Sequence, residues 1–397
     1  MSISIPQGFR YAGVHAGIKS DPGKEDVTLV VSDGPATAAG VYTQNLVCAP
    51  PVVLDRQRTP TDQLRAVVVN SGNANACTGE QGLKDAREMC HLAAAACSAD
   101  EQQALVMSTG IIGHFLPMDK IARGIAEAAR SLGVDEAAYL HAARGIMTTD
   151  AHEKIASTTL TLGDVEVRIA GMAKGAGMIG PNMATMLGLV TTDAALDPQD
   201  AQKLLQAVAD QSFNCISVEG HTSTNDTLLL VANGAAGGTR LQGASLSQFQ
   251  ESLTEMCIEL ARKIPDDGEG SSHLVTILVN GCESVSDARQ IAKTVAGSAL
   301  VKTAVAGADP NWGRIVSAAG YAGIPFDPNR VSLYVNDILL FANGTPQPFD
   351  AAAASASMRS QRGIIVVLEC GDGQASATHW TSDLTTDYVK FNSDYHT

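Results

Sequence analysis

Short apolar runs rich in β-branched residues recur along the 397-residue chain and alternate with segments whose apolar residues repeat every three to four positions. Runs of the first kind predict strands, and segments of the second kind predict helices. The predicted strands are Val27–Val31, Ala66–Asn70, Leu105–Ser108, Val165–Ala170, Leu228–Val231, Leu274–Val279, Leu333–Val335 and Ile364–Leu368. The predicted helices are Leu83–Ala96, Ile121–Ser131, Ala201–Ala209, Phe249–Ile264 and Ala288–Ala296. Interspersed elements of both kinds predict a mixed α/β or α+β protein with large sheets.

The composition limits the function classes. A hydrophobic content of 45% predicts a packed core, and a net charge of −15 argues against nucleic acid or an anionic membrane as a partner. The first residues lack a basic segment followed by an apolar run, so we expect a cytoplasmic protein. Eight cysteines occur without any C-x-x-C pair, which predicts free thiols and no metal site.

The glycine-rich segment Lys174–Gly188, KGAGMIGPNMATMLG, requires unusual backbone freedom. Gly175, Gly177 and Gly180 satisfy the dinucleotide-binding pattern G-x-G-x-x-G. That pattern needs a helix directly afterwards, but Gly188 and the β-branched residues beyond it would end a helix within about two turns. We therefore interpret the match as accidental.

The end of the same segment allows a different chemistry. A threonine in a strained, glycine-rich turn can attack the preceding carbonyl, and hydrolysis of the resulting ester cleaves the chain. Cleavage between Ala184 and Thr185 would free the α-amine of Thr185 as a general base for its own hydroxyl. Taken alone, an Ala-Thr pair is too common to decide between this role and an ordinary threonine at the start of a strand.

A resemblance extends over essentially the whole chain. The segment Lys174–Ala194 is similar to the self-processing site of the ornithine acetyltransferase family, which makes and recycles N-acetylglutamate in arginine biosynthesis. Seven further segments resemble family signatures in the same order: Asn70–Gly79, Met107–Gly113, Ile146–Asp150, Thr222–Thr227, Asp267–Gly270, Lys302–Ile315 and Tyr388–Thr397. Eight ordered matches are far more specific than any single one.

The resemblance implies an α+β fold, an αββα layered sandwich of the DmpA and ornithine acetyltransferase type. It also implies cleavage into an alpha chain, residues 1–184, and a beta chain, residues 185–397, which assemble as an α2β2 heterotetramer. The alpha chain would carry the oxyanion hole and part of the substrate site. The beta chain would begin with the nucleophile, and its C-terminal tail would reach the active site.

The resemblance also implies roles for individual residues. Thr185 would be the nucleophile, and the Thr109 hydroxyl and the Gly110 N–H would form the oxyanion hole. Lys174 would pair with a substrate carboxylate. The other implied substrate-binding residues are Thr148, Glu269, Asn392 and Thr397. Without the resemblance, Glu269 is a residue of a polar turn, and the last two belong to a frayed tail.

The implied reaction moves an acetyl group from N2-acetyl-L-ornithine to L-glutamate by a ping-pong mechanism through acetyl-Thr185, without a cofactor. Acetyl-CoA is left open as a second acetyl donor, which would also make the enzyme a synthase of N-acetylglutamate. Alternatives are a self-processed aminopeptidase or amidohydrolase of related fold, a nucleotide-binding oxidoreductase using the glycine motif, and a nonenzymatic binding protein that stays uncleaved.

Some residues depart from the family pattern or have no clear role. His221 stands where relatives often carry an acidic residue, Ser271–His273 replaces a small residue and a lysine, and His152–Glu153 alters the approach to Lys154. These departures leave the finer substrate contacts open. For Trp312, in the segment DPNWGR, a binding role and structural support have equal weight.

Overall fold

A computed structural model describes residues 3–180 and 186–394. Its strands are β1 (Phe9–Val14), β2 (Val27–Tyr42), β3 (Thr61–Asn73), β4 (Ala104–Ile111), β5 (Lys154–Leu162), β6 (Val165–Lys174), β7 (Leu187–Thr192), β8 (Ile216–Ser217), β9 (Thr227–Ala232), β10 (Leu274–Cys282), β11 (Ser332–Val335), β12 (Ile338–Ala342), β13 (Thr345–Pro346), β14 (Gly363–Glu369) and β15 (Ala375–Ser382). Its α-helices are α1 (Pro50–Arg58), α2 (Gly79–Ala95), α3 (Met118–Arg130), α4 (Glu136–Gly145), α5 (Pro198–Gln211), α6 (Gly243–Asp266), α7 (Val285–Gly297), α8 (Ala299–Ala306), α9 (Trp312–Gly320), α10 (Ala351–Arg359) and α11 (Thr386–Asp394). Within these two ranges no helix is both long and apolar enough to cross a bilayer.

Every strand and helix predicted from the sequence is present. Each lies inside a longer element of the same type, except that the helices predicted to end at Ala96 and Ser131 end one residue earlier, at Ala95 and Arg130. The start of α5 shows how local sequence signals determine where a helix begins. The Asp197 side chain accepts a hydrogen bond from the Gln199 N–H at 2.9 Å, and Pro198 occupies the first turn, where its missing N–H costs nothing.

The first sheet has eight strands in the order β4-β3-β2-β9-β7-β6-β5, with β1 paired to β2. The long strand β2 belongs to two halves of this sheet. Its first part pairs with β1 and β3, and its last six residues pair with β9. The register against β3 shifts after Val31 and again after Ala36, which marks an irregularity between the two parts.

The two halves of this sheet pack against each other. Residues of both halves, such as Val67 and Leu229, belong to one buried apolar cluster, and the Tyr11 hydroxyl lies 2.9 Å from Thr191 Oγ1 across it. Alternate residues of the strands face outward. They pack under α2 and α3 on one side and under α5 and α6 on the other. The layers are therefore helix, sheet, sheet and helix, as the αββα expectation requires.

A second sheet, of seven strands in the order β13-β12-β11-β14-β10-β15-β8, forms a further lobe with its own core. Helices α7, α8 and α9 contribute to that core. Helix α6 connects the lobes, because its buried face packs in the same cluster as Trp380 of β15. This second lobe was not predicted from the sequence as a separate unit.

Three strand ends create the place where a site can form. The parallel strands β3 and β4 end side by side, with Gly72 opposite Gly110. Strand β6 ends at Lys174, which pairs with Leu187 at the start of β7. The sheet fixes the position of residues at strand ends. Because the connecting loops begin there, the side chains of these residues can face a ligand.

Candidate active site

A cavity of about 200 Å³ lies between these strand ends, the turn that contains Glu269, and helix α11. Its lining includes six residues implied by the family resemblance: Thr109, Gly110, Thr148, Lys174, Glu269 and Asn392. Three other predicted positions, Ala184, Thr185 and Thr397, lie outside the described residues. Residues far apart in the chain thus meet at one small cavity, while the role of each residue stays a prediction.

The hydroxyl of Thr109 is oriented by the ammonium of Lys174. Lys174 Nζ donates a hydrogen bond to Thr109 Oγ1 at 3.2 Å, and both residues are buried. A hydroxyl has a single proton, so accepting from a lysine leaves that proton free to be donated elsewhere. The arrangement suits a hydroxyl that stabilises a developing negative charge in the cavity.

The backbone at Gly110 is one that only glycine fits. Its φ is +134°, and a Cβ there would lie 2.2 Å from the carbonyl carbon of Gly72. A side chain would therefore clash with the neighbouring strand and would also strain the backbone. The close approach to Gly72 fixes the backbone of Gly110 at the wall of the cavity.

Asn225 binds the backbone next to the turn at Thr109 and Gly110. Its side-chain amide donates to Ser108 O at 2.8 Å and to Ala74 O at 2.7 Å, and its Oδ1 accepts from the Thr224 hydroxyl at 2.6 Å. All of these groups are buried, and a buried carbonyl without a partner is costly. Asn225 therefore holds the residue directly before Thr109 in place.

A network of buried charged side chains lies close enough to Lys174 to affect its pKa. Lys154 Nζ lies 2.6 Å from Asp150 Oδ1 and 2.6 Å from Asp267 Oδ2. Burial alone raises the pKa of Asp150, but the charges of Lys154 and Lys174 outweigh it and hold that pKa at about 2. Burial lowers the pKa of Lys174, and the Asp150 carboxylate opposes that effect. The two buried lysines thus favour the carboxylate form of Asp150.

Glu269 is positioned by contacts on each oxygen. Oε1 accepts from the Thr149 hydroxyl at 2.7 Å, and Oε2 accepts from the Asn392 side chain at 3.0 Å. The Glu269 N–H donates to Ala176 O at 2.9 Å. A Cβ on Gly177 would lie 2.4 Å from the carboxylate, so this glycine makes room for it. Helix α11 therefore docks on the site through Asn392, and the frayed-tail alternative is wrong for this residue.

Several residues of the cavity wall were not singled out from the sequence, among them Thr149, Glu219, Asn225 and Tyr388. Thr149, Asn225 and Tyr388 lie inside segments that resemble family signatures, so the resemblance of those segments could have identified them. Glu219 lies just before the signature at Thr222 and carried no signal of its own.

The departures from the family pattern fall in different places. His221 lines the cavity. Ser272 and His273 instead bind Asp383, with His273 Nδ1 at 2.9 Å from its carboxylate. Glu153 pairs with Arg144 at 2.9 Å. Of these positions, only His221 is on the cavity wall.

Trp312 has a structural role. Its ring stacks on Phe341 with centroids 5.3 Å apart, against the core of the second lobe, and it is not part of the cavity lining. Of the two roles that the sequence left open for Trp312, the structure therefore favours structural support over binding.

Described residues flank the predicted cleavage site on both sides. Beyond it, the Met186 N–H donates to Asp226 Oδ1 at 3.1 Å, and strand β7 begins at Leu187. Before it, Gly180 approaches Gly220 so closely that a Cβ would lie 2.3 Å from the backbone. Strand β7 begins seven residues after Gly180, and the described residues there form no helix of the kind that dinucleotide binding requires after the glycine motif.

Fold and site together define an αββα protein whose cavity is lined by a buried threonine hydroxyl, a closely packed glycine turn and a buried lysine, a set suited to acyl-transfer chemistry. The chain belongs to the ArgJ family, whose model matches residues 10–397. It is 50% identical to the arginine biosynthesis bifunctional protein ArgJ of Rhodopirellula baltica, over 99% of this chain and 96% of that protein. It is 49% identical to the protein of the same name from Symbiobacterium thermophilum, over 100% of this chain and 98% of that protein.

A solved structure agrees with this assignment. The crystal structure of arginine biosynthesis bifunctional protein ArgJ from Bacillus halodurans is 34% identical, with a TM-score of 0.50. The match covers 97% of that solved chain but 52% of this one.

Proposed function

We propose that the chain is a glutamate N-acetyltransferase that moves the acetyl group of N2-acetyl-L-ornithine to L-glutamate. The observation that carries the proposal is the convergence of Thr109, Gly110 and Lys174 on one cavity, in a chain that belongs to the ArgJ family. The relatives' name, arginine biosynthesis bifunctional protein, supports the pathway.

The first half of the reaction acetylates the enzyme. The α-amine of Thr185 takes the proton of its own hydroxyl, and the oxygen attacks the acetyl carbonyl of N2-acetylornithine. The Thr109 hydroxyl and the Gly110 N–H donate to the oxyanion of the tetrahedral intermediate. The C–N bond breaks, the proton passes to the departing amine, and ornithine leaves acetyl-Thr185 behind.

The second half transfers the acetyl group onward. The neutral amine of glutamate attacks the ester carbonyl, the C–O bond to Thr185 breaks, and the threonine oxygen recovers a proton from the attacking nitrogen. Acyl transfer through a threonine ester needs neither a metal ion nor a redox cofactor. The same acetyl-enzyme would form from acetyl-CoA if that donor is accepted, and a thiol-release assay tests it.

Self-processing between Ala184 and Thr185 creates the amine that this mechanism uses. The solved Bacillus halodurans chain supports it, because a match to nearly all of that chain covers only about half of this one. We propose an alpha chain of residues 1–184, a beta chain of residues 185–397 and an α2β2 assembly. Light scattering tests the assembly, and cell fractionation tests the expected cytoplasmic location.

A denaturing gel with mass spectrometry tests the processing. The 41.2 kDa chain should yield fragments of about 19 and 22 kDa, the second beginning at Thr185. The variant Thr185→Ala should stay uncleaved and inactive, whereas Thr161→Ala, at an exposed position of β5, should behave as wild type. A fully intact chain with full transferase activity would overturn the mechanism.

The self-processed aminopeptidase or amidohydrolase is the second candidate, because it shares the nucleophile and differs only in delivering the acyl group to water. Comparing acetate release with N-acetylglutamate formation from one acetyl-enzyme preparation separates the two. We expect transfer to glutamate to dominate.

A further inference from the structure

The proposed reaction sets a recognition problem for its own cavity. In a ping-pong mechanism both amino acids occupy one site in turn, yet the ornithine side chain ends in an ammonium and the glutamate side chain ends in a carboxylate. A fixed charge in the wall would favour one substrate and repel the other by the same electrostatic interaction. A wall group that changes its own charge avoids this conflict.

The cavity contains two carboxyl groups with different amounts of unused hydrogen-bonding capacity. Each oxygen of Glu269 accepts from a protein side chain, Thr149 on one and Asn392 on the other. Glu219 Oε1 accepts a long bond, 3.3 Å, from the His221 N–H. Glu219 Oε2 is buried and has no hydrogen-bond partner among the described residues. Buried polar atoms are almost always paired. An unpartnered carboxyl oxygen on a residue that lines the cavity therefore indicates a hydrogen-bonding group that a bound ligand supplies.

On this basis, and resting on the proposed function, we propose that Glu219 recognises the end of the substrate side chain. As a carboxylate it pairs with the ammonium of N2-acetylornithine. As a neutral acid it donates a hydrogen bond to the side-chain carboxylate of glutamate.

The surroundings of Glu219 make both forms accessible. The charged and titratable groups near it come from four elements: His221 of its own loop, Glu269 of the facing turn, Lys302 of α8, and Tyr388 of α11. Burial raises the pKa of Glu219 to about 7. Hydrogen bonds from the backbone N–H groups of Glu219 and His221 oppose this rise, the charge of Glu269 adds to it, and the charge of Lys302 opposes it. Lys302 does not neutralise the carboxyl by direct contact, since its ammonium donates to Thr381 Oγ1 at 2.9 Å and to Ser382.

The test compares donors that differ only in the side-chain ammonium. N2-acetylnorvaline has the ornithine skeleton without the terminal amine, so the ratio of kcat/KM for N2-acetylornithine over N2-acetylnorvaline isolates recognition of that group. At pH 8 we expect Glu219→Gln to lower this ratio about ten- to a hundredfold, as for loss of a hydrogen bond between charged groups. The ratio does not depend on how much of the variant is folded.

Two control variants separate the effect of the Glu219 charge from the effect of side-chain shape and of charge changes elsewhere. Glu219→Asp keeps the charge and should retain part of the preference. Glu259→Gln, at an exposed residue paired with Lys263 on α6, should leave the ratio unchanged. In wild type the ratio should rise as the pH increases through about 7, while the preference for glutamate over glutamine as acceptor should fall. These wild-type profiles test the inference even if the variants do not fold.

The outcomes are distinguishable. Equal donor ratios in wild type and Glu219→Gln, or wild-type ratios that are flat with pH, overturn the role of Glu219 and leave the transferase intact. A wild-type protein that never forms an acetyl-enzyme with N2-acetylornithine overturns the proposed function and this inference together.

Discussion

Asp150 Oδ1 accepts the backbone N–H of Gly175 at 2.7 Å, which ties the loop after α4 to the glycine-rich segment that follows β6. The second oxygen, Oδ2, accepts the Thr148 N–H at 2.9 Å. One buried carboxylate therefore holds two parts of the cavity wall, while its charge balances Lys154 and Lys174. Binding geometry and electrostatics are coupled through this single side chain.

Replacing Asp150 with asparagine should strongly destabilise the protein, because two buried lysines would lose a shared counter-charge. We expect the free energy of unfolding to fall by about 3 kcal/mol, the cost typical of breaking a buried ion pair. Urea titration measures it. Glu259→Gln, which removes an exposed ion pair, should change the value by less than about 0.5 kcal/mol. Similar small effects for both variants would show that the network adds little.

Gly110→Ala should damage catalysis. The new Cβ would clash with Gly72, and the turn can relieve the clash only by moving the N–H predicted to bind the oxyanion. Loss of one such donor costs about 10²–10³ in kcat. The KM for N2-acetylornithine should change much less. Gly297→Ala is the matched control, since a Cβ there meets nothing within 4 Å at the end of α7. Wild-type kcat in Gly110→Ala would contradict the proposed role of this turn.

How far the sequence predicted the structure depends on the kind of signal. The β-branched run Val27–Val31 and the amphipathic segment Ile121–Ser131 carry strong local periodicity, and both elements formed. Helix α10, with the sequence AAAASASMR, has almost no periodicity, and β5 is largely polar, so neither was predicted. Tertiary contacts decide such elements.

The residues of the candidate site likewise fall into those that the sequence predicted and those that only the fold brings together. Gly110 and Glu269 were found through motifs that resemble a family, not through their local chemistry. The ion network around Asp150 and the bracing by Asn225 depend on contacts between residues far apart in the chain, which no local pattern records. Glu219 was missed because a single glutamate has no distinguishing feature until the fold places it in a cavity.

Asn225→Ala should lower kcat while leaving the fold intact. The substitution leaves Ser108 O and Ala74 O without their shared donor, at a cost of about 2–4 kcal/mol in the free energy of unfolding. The residue before Thr109 loses its anchor, so the oxyanion-binding geometry should loosen and kcat should fall by about tenfold or more. Steady-state kinetics with N2-acetylornithine measures this change. An effect confined to KM would contradict a positioning role for Asn225.

The raised pKa of Glu219 also predicts how stability depends on pH. A free glutamate titrates near pH 4.3, whereas burial raises the pKa of Glu219 in the folded protein to about 7. Between these values the folded state holds a proton that the unfolded state has lost. The contribution of Glu219 to stability is therefore complete below about pH 4.3 and is lost as the pH rises through about 7.

Glu219→Gln removes this contribution and supplies the reference. The free energy of unfolding of wild type minus that of the variant should fall by about 1–2 kcal/mol from pH 5 to pH 8, allowing for partial exposure of the side chain. His379, whose pKa burial lowers to about 3, adds an opposite slope to both proteins equally, so it cancels in the difference. Urea titrations at several pH values measure the two curves. Parallel curves would show that Glu219 ionises normally in the folded protein.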